Sequence, residues 1–308
     1  MDVTVVLFQM IQLFLILGLG YFLYKIKILD TDFNQKLTRL LLNVTLPAVI
    51  LSSVFSSGTI SNPSNLLLVF VLGIVIYLIL PFIGFLIAKI IKAPTSQQGL
   101  YTFMIVYSNI GFMGIPVMNA IYGPSAILYL SIYNMLFNLC LYTVGAKIMT
   151  YGTDQKVEMN LKNLLTPGMV ASLVALIFYF IGFKPHDIIL KSIDMVGGLT
   201  TPLAMMIIGG TLAKIPLKEV FTELRVYPFT IFKQIIIPAI AYLILKMIVK
   251  DELILGVTLI TIAMPVANTA VLFATQYKAD EALAAKNVFI TTLLSIITIP
   301  LIVALFLA

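Results

Sequence analysis

Apolar runs of 18 or more residues recur along the whole chain, and they constrain its fold more than any other feature. A run of this length with few charges is typical of a helix that crosses a lipid bilayer. The chain of 308 residues is 61% hydrophobic and 10% charged, whereas soluble domains carry about 25% charged residues. We therefore predict an all-α integral membrane protein that is surrounded by the lipid bilayer.

The spacing of these runs predicts ten transmembrane helices with short connections. The runs cover approximately residues 3–24, 37–55, 66–91, 100–122, 127–149, 169–183, 188–213, 227–249, 253–276 and 283–307. The polar connection 151–163 is the natural seam, so we predict a first five-helix repeat over residues 1–155 and a second over 156–308. Because five is an odd number of crossings, the second half enters the membrane in the opposite orientation, which makes the two halves an inverted repeat.

Prolines support the repeat because they match between the halves in the same order. The matched pairs are Pro47 with Pro202, Pro81 with Pro238, and Pro116 with Pro265. Proline is common in membrane helices, so a single match carries little weight. Three matches in the same order favour the duplication of one five-helix unit.

The basic residues predict the orientation. With the N-terminus outside, the inner loops hold fourteen lysines and arginines and the outer loops hold four, with Lys233 left out because it lies inside the eighth run. Cytoplasmic loops carry the excess of lysine and arginine. We therefore expect a multi-pass protein of the cell membrane with both termini extracellular. The net charge of +6 is explained by these flanking residues, and no nucleic-acid partner is expected.

Two stretches inside apolar runs are poor helix formers. Residues 107–123 contain Gly111, Gly114 and Pro116, and residues 264–269 repeat the spacing of proline and asparagine. Glycine and interior proline destabilise helices, and freed backbone groups are tolerated at membrane depth only inside protein or along a cavity. Two broken helices in corresponding halves indicate the binding site of a transporter. We predict that the fourth and ninth helices are broken and cross.

Such a crossing predicts an anion site. After each break a new half-helix begins near its proline, and its free N–H groups and positive dipole end point at the break. The candidate binding residues are Ser108, Asn109, Gly114, Pro116, Val117, Asn119, Pro265, Asn268 and Thr269. The alternative is that the asparagines only satisfy backbone groups at two kinked helices.

Four further polar residues inside the apolar runs each have two possible interpretations. Lys233 either takes part in the site or extends to the inner interface, and Asp194 either takes part or pairs with Lys191. Asn134 and Asn138 lie one turn apart and either face the cavity or bond a neighbouring helix. Ionisable groups inside a membrane are functional candidates by default.

Catalysis has little support in the sequence. The one histidine, His186, lies in an outer loop, and motifs for nucleotide, metal or acyl chemistry are missing. We expect no enzyme activity, no cofactor and no metal. The single cysteine, Cys140, excludes an intramolecular disulfide. The pairs Gly197-Gly198 and Gly209-Gly210 permit close helix approach, either within the fold or across a homodimer.

The residues Ser108–Pro116, the Met264-Pro265 break and the ending 287–307 with Pro300 resemble the auxin efflux carrier family. This family includes plant PIN transporters and bacterial exporters assigned to malate or malonate, and it is related in fold to bile-acid/sodium symporters. The resemblance covers essentially the whole chain. It implies a scaffold of helices 1, 2, 6 and 7, a mobile transport domain of helices 3–5 and 8–10, a homodimer through the scaffold, and elevator-type alternating access.

The resemblance implies that the substrate carboxylate lies near the crossing, at Asn109, the backbone after Pro116, and Asn268. The short connection 151–163 differs from the long regulatory loop of plant members. The expected function is export of a small organic anion: a mono- or dicarboxylate, auxin-like, malate or malonate. The alternatives are a Na⁺- or H⁺-coupled importer of a carboxylate or bile-acid-like substrate, and a membrane ligand sensor that does not transport.

Overall fold

A computed structural model describes residues 3–56, 63–153, 165–215 and 220–307, and the regular secondary structure of this part of the chain is helical apart from one isolated β-bridge. The helices are α1 (Val3–Lys25), α2 (Thr31–Leu40), α3 (Leu46–Ser56), α4 (Pro63–Ile90), α5 (Thr95–Val106), α6 (Ile115–Tyr122), α7 (Pro124–Cys140), α8 (Ala146–Met149), α9 (Pro167–Ile181), α10 (Asp187–Gly198), α11 (Thr200–Leu212), α12 (Val226–Ile231), α13 (Ile237–Ile248), α14 (Glu252–Ala263), α15 (Thr269–Gln276) and α16 (Glu281–Phe306). Single π-helical turns lie at Leu41–Thr45, Ile110–Gly114, Leu141–Gly145 and Phe232–Ile236.

Seven helical segments in the described residues are long and apolar enough to cross a membrane. They are Thr4–Lys25, Thr31–Phe55, Ser64–Ile90, Pro124–Met149, Asp187–Leu212, Val226–Ile248 and Glu281–Phe306, and three shorter apolar helices cover Ile110–Tyr122, Pro167–Ile181 and Glu252–Ala263. The all-α prediction is confirmed, and these segments suit a multi-pass membrane protein. Ten crossings in two repeats stay a prediction, and the boundary at residue 155 lies outside the described residues.

Two hydrogen bonds identify the opposite ends of the helix bundle. At one end, Asn65 near the start of α4 donates to the carboxylate of Asp251 at the start of α14, over 3.1 Å. At the other end, Gln97 near the start of α5 donates to Asp280 at the start of α16, over 3.0 Å. The ends of α4 and α15 therefore lie at the same end of the bundle as the starts of α5 and α16.

Three of the four described π-helical turns precede a proline by two residues. They precede Pro47, Pro116 and Pro238. Proline has no N–H and its ring clashes with the carbonyl four residues earlier, so a wider turn at this place accommodates both problems. The predicted repeat partners differ in local structure. Pro81 lies inside regular helix α4, Pro202 lies in the first turn of α11, and Pro265 lies between two helices.

Close glycine contacts join α1 to α11. A Cβ added at Gly20 would meet the backbone oxygen of Met206, and one at Gly209 would meet that of Leu17. Small residues allow this direct approach of two helix backbones. A Cβ added at Gly197 would lie 2.9 Å from the backbone of Val49. Gly197 and Gly209 therefore make close helix contacts within the fold, which is one of the two alternatives that the sequence left open.

The remaining members of the two glycine pairs have looser surroundings. A Cβ at Gly210 would lie 3.1 Å from the Asn34 side chain, and a Cβ at Gly198 would meet nothing within 4 Å.

Large apolar side chains are exposed on the outside of the bundle, among them Phe82 at 77% and Met247 at 87%. An apolar exterior of this kind suits contact with lipid chains.

Candidate functional site

The two broken stretches meet in the interior, where they form an antiparallel crossing. The N–H of Asn109 donates to the oxygen of Pro265 over 2.8 Å, and the N–H of Ala267 donates to the oxygen of Tyr107 over 3.1 Å. Ser108 and Val266 form the β-bridge between these bonds. Each extended segment thereby satisfies backbone groups of the other, which a broken helix at membrane depth requires. We call residues 107–109 and 265–267 the crossover.

Sequence reasoning placed the first break too late. Helix α5 ends at Val106, the extended segment is 107–109, and the helix resumes at Ile110 through a π-helical turn that contains Gly111 and Gly114. Pro116 is the second residue of α6, and with Val117 it is buried in the core beyond the helix start. The structure contradicts the expected half-helix start at Pro116. Pro116 lies six residues into the helical segment that starts at Ile110, and the π-helical turn before it accommodates the proline without a break.

Four helix ends converge on the crossover. Helices α5 and α14 end at Val106 and Ala263, and the helical segments that follow begin at Ile110 and Thr269. The first N–H groups of a helix have no partner within it, and they give its start a partial positive charge. The crossover therefore presents two helix starts that favour an anion. The starts come from different halves of the chain.

Lys233 extends to the crossover rather than to the inner interface. Its side chain is 1% exposed, and Nζ donates to the oxygen of Ile105 over 2.8 Å and to Oγ of Ser108 over 2.6 Å. The interpretation of Lys233 as an interface residue is wrong. The π-helical turn Phe232–Ile236 holds it in a helix that passes the crossover, and the oxygen of Ile105 lies in the last turn of α5, where a cation is favoured.

No carboxylate pairs with Lys233 within the described residues. The salt bridges found there join Lys36 to Asp32 and Arg225 to Glu223. A buried ammonium without an anionic partner is costly inside a membrane. A bound anion would supply the negative charge that balances the Lys233 ammonium.

Several buried polar atoms at the crossover have no hydrogen-bond partner in the described structure. They are Nδ2 of Asn109, Oδ1 of Asn268 and Oγ1 of Thr269. Buried polar groups are nearly always paired, so such atoms indicate a ligand or water. Asn109 is 2% exposed, and its amide is a donor of the kind that a carboxylate accepts from.

The two asparagines of α7 have different places. Asn134 is buried, with Oδ1 and Nδ2 near the backbone positions of Gly111 and Gly168 respectively, so it lies beside the π-helical turn that follows the first break. Asn138 donates over 2.7 Å to the oxygen of Asn134 in its own helix. Asn134 therefore borders the site, whereas Asn138 has a local bond.

Asn119 and Asp194 lie apart from the crossover, in a separate polar cavity of about 140 Å³. The cavity lies at the end of the bundle where α4 and α14 begin, and Ser52, Ser53 and Thr201 also line it. Asp194 makes no ion pair with Lys191 in the described structure, so that expectation is wrong. The crossover itself borders a small cavity of about 10 Å³ beside Ser108, which suffices for about one water molecule.

Sequence reasoning missed two residues beside the crossover, Thr291 in α16 and Gln234 in the π-helical turn between α12 and α13. Oγ1 of Thr291 accepts from the N–H of Val266 over 3.2 Å, and the Thr291 oxygen accepts from Gln234 over 2.9 Å. Thr291 is one of several buried polar residues along α16. A row of threonines at helical spacing was the available signal, although in a membrane helix the same row also serves local bonds.

Comparisons with known proteins match the chain to membrane transporters. A sequence model of a family described as "Membrane transport protein" matches residues 5–303. An uncharacterized transporter of Methanocaldococcus jannaschii is 28% identical over 95% of this chain and 96% of its own length. A protein of Rhizobium meliloti named "Putative malonate transporter" is 25% identical over 73% of this chain and 71% of its own length. The uncharacterized transporter YfdV of Escherichia coli is 22% identical over 95% of each chain.

The family match spans nearly the whole chain, including both breaks and Lys233. The relatives also align over most of their lengths. The chain therefore belongs to the membrane transport protein family, which is the auxin efflux carrier family that the sequence resembles.

Proposed function

We propose that the protein is a secondary transporter that exports a small organic anion, such as malate, malonate or an auxin-like acid. One observation carries this proposal. The ammonium of Lys233 is buried against Ser108 at the crossover and has no carboxylate partner in the described residues. A substrate carboxylate would supply the missing negative charge.

The site has two layers in this proposal. Successive side chains of an extended segment point to opposite sides, so Ser108 and Asn109 face different directions. Lys233 lies on the Ser108 side, and the free amide of Asn109 faces the other side with the helix starts. Because the interior has a lower effective dielectric constant than water, the lysine attracts a carboxylate across the extended segment. Neutral donors in direct contact then permit release.

We propose elevator-type movement of the crossover against a scaffold. The scaffold consists of the first, second, sixth and seventh spans, and its backbone contacts at Gly20 and Gly209 suit a rigid body. Helix α6 packs against both α1 and α11, so the half-helix that leaves the crossover lies on the surface of that body. A homodimer through the scaffold, and placement in the cell membrane with both termini outside, complete the proposal.

Export of an anion requires no coupling ion. One negative charge that leaves a cell with a negative interior gains about 2.3 kcal/mol per 100 mV, which is a bias of roughly 40-fold. Coupled import is the second candidate, because Asp194 and three hydroxyl residues line an oxygen-rich cavity where a cation would bind.

Counterflow in proteoliposomes tests the function. Vesicles are loaded with malate, malonate or indole-3-acetate, and labelled anion is followed with an imposed potential, a Na⁺ gradient or a proton gradient. Saturable flux driven by the potential alone is the expected result. Flux that requires a cation gradient would favour the coupled importer, and saturable binding without flux would favour a sensor.

The variant Asn109→Ala tests the site. Removing the free amide should lower flux at least tenfold while the thermal unfolding midpoint in detergent stays near that of the wild type, because the side-chain Nδ2 makes no bond within the fold. The matched control is Asn138→Ala, whose side chain bonds only its own helix in the described structure. Normal flux in a folded Asn109→Ala protein would contradict the assignment.

A further inference from the structure

Three helices end with a lysine in the left-handed backbone conformation. The φ angles of Lys27, Lys92 and Lys278 are 62°, 54° and 51°. They are the only non-glycine residues with positive φ in the described part of the chain. Glycine, and to a lesser degree asparagine, is the usual residue at such a position, because a Cβ is strained there.

All three lysines occupy the same position of the same motif. The N–H of each lysine bonds the carbonyl three residues earlier, and the next N–H bonds the carbonyl five residues before it. The second bonds are Ile28 to Leu23, Ala93 to Ala88, and Ala279 to Ala274. This is the Schellman ending of a helix, whose left-handed residue is most often glycine.

The three lysines lie at one end of the bundle. The bond from Gln97 to Asp280 holds the segment after Lys92 beside the segment after Lys278. Lys27 follows the span Thr4–Lys25 and Lys92 follows the span Ser64–Ile90, and the single span Thr31–Phe55 returns the chain between them, so both lysines lie on the same side. Basic-residue counts place this end at the cytoplasm.

The opposite end of the bundle provides an internal comparison. Helix α9 ends in the same motif, with Gly182 bonded to Tyr179 and Phe183 bonded to Phe178, and there the left-handed residue is glycine with φ of 65°. Backbone geometry alone therefore does not select lysine. Glycine would avoid the backbone strain at the three lysine positions, so what lysine adds there lies in its side chain.

Two of the three helices already carry another basic residue in the last turn, where a positive charge stabilises the helix end. Helix α1 already has Lys25 in its last turn, and α4 already has Lys89. The nearby acids have other roles, because Asp30 and Asp280 cap the starts of α2 and α16. The three lysine side chains are exposed, and none forms an ion pair in the described structure.

We propose that Lys27, Lys92 and Lys278 bind the headgroups of acidic phospholipids at the cytoplasmic face. An ammonium at the end of a membrane helix lies at the depth of the phosphate groups, where the surface potential of an anionic leaflet attracts it. Each left-handed lysine lies two residues past the end of its helix, so its ammonium extends beyond the last helical turn. The proposal is independent of which substrate the crossover carries.

The test is a lipid titration of the full-length protein in detergent. The variant carries Lys27→Gly, Lys92→Gly and Lys278→Gly together, which retains the backbone conformation and removes the charges. Affinity for phosphatidylglycerol, measured by native mass spectrometry, should fall roughly fivefold for each lysine removed. Affinity for phosphatidylcholine should not change. Without added lipid, the unfolding midpoint should equal or exceed that of the wild type, because glycine relieves the strain.

Two further variants keep the outcome decisive. Lys25→Gln with Lys89→Gln and Lys147→Gln removes three other basic residues near that face, and it should weaken binding less. Arginine at the three left-handed positions should restore binding. Undiminished phosphatidylglycerol affinity in the glycine variant would overturn the proposal. So would an equal loss in both triple variants, or a lower midpoint of the glycine variant without lipid.

Discussion

At the scale of the residue, one buried lysine gives the crossover its charge. Lys233 donates to a helix-end carbonyl and to Ser108, and both acceptors are neutral. A charged group at this depth is retained against a cost of about 2.5–3.5 kcal/mol on insertion scales. Retention at such a cost is typical of a residue that serves function rather than stability.

We expect Lys233→Met to lower potential-driven flux at least tenfold with little change in stability. Removing the desolvated ammonium is favourable, and leaving two acceptors without a donor costs about 1–3 kcal/mol each, so the two effects offset. The control is Lys246→Met in the same run, where the exposed ammonium lies 5.4 Å from the Tyr242 ring. Flux and thermal midpoint are measured for both. Wild-type flux in Lys233→Met would contradict the charge argument.

Sequence reasoning placed Ser108 and Asn109 at the first break and left the position of the Lys233 side chain open. Glycine, proline and asparagine report a broken helix through local backbone physics, which requires no knowledge of distant contacts. The direction of a long lysine side chain is decided by packing. Ile105 and Ser108 are more than 120 residues away in sequence, so the local pattern of α12 and α13 does not contain them.

At the scale of the element, two prolines that match in sequence have different structural roles. Pro265 lies in the extended segment and accepts the N–H of Asn109, whereas Pro116 lies inside the first turn of α6. Proline disfavours helical geometry in the residue before it, so Pro265 keeps Met264 out of α14. The local sequence around both prolines is alike, and the difference comes from the partner segment.

We expect Pro265→Ala to slow transport several-fold and Pro116→Ala to leave it within about twofold. With alanine at 265, α14 gains the option of continuing through the break, which disrupts the bonds of the crossover. Alanine at 116 only restores an N–H inside an existing helix. Turnover is measured by counterflow in proteoliposomes. Equal effects of the two substitutions would contradict the different roles.

The contact between α1 and α11 predicts a sharp difference between two glycines of one helix. Gly20→Ala places a methyl group against the backbone of Met206 and should destabilise by about 1–3 kcal/mol. Gly18→Ala has nothing within 4 Å and should gain up to about 1 kcal/mol of helix propensity. Thermal unfolding in detergent measures both. A Gly20→Ala protein as stable as Gly18→Ala would exclude the tight contact.

At the scale of the whole molecule, sequence reasoning gave the class and the approximate course of the chain. Apolar runs identify membrane helices because the bilayer leaves few alternatives. The apolar runs alone did not show where the predicted breaks of the fourth and ninth helices would lie, or that π-helical turns interrupt the second, fourth, fifth and eighth runs. The position of each break depends on which segment satisfies the freed backbone groups, and that segment lies in the other half of the chain. Three of the π-helical turns, by contrast, accompany a proline two residues later.

The proposed orientation is tested by labelling single cysteines in intact cells, with Cys140→Ser as background. Lys250→Cys, between α13 and α14, should react with an impermeant maleimide from outside. Gln276→Cys, at the end of α15, should react only after permeabilisation, because the two ends of α14–α15 lie on opposite faces. Both positions are exposed. The reverse pattern would place the termini in the cytoplasm.

The crossover also sets a condition on biosynthesis. Pro265 follows Asn109 by 156 positions, so the first break is made long before its partner exists. At about 5–20 residues per second, the ribosome needs roughly ten to thirty seconds to supply it. During that interval the unpaired backbone at residues 107–109 needs water or an insertase. A nascent chain stalled before residue 265 should therefore be a substrate for membrane quality control, however well its first helices are inserted.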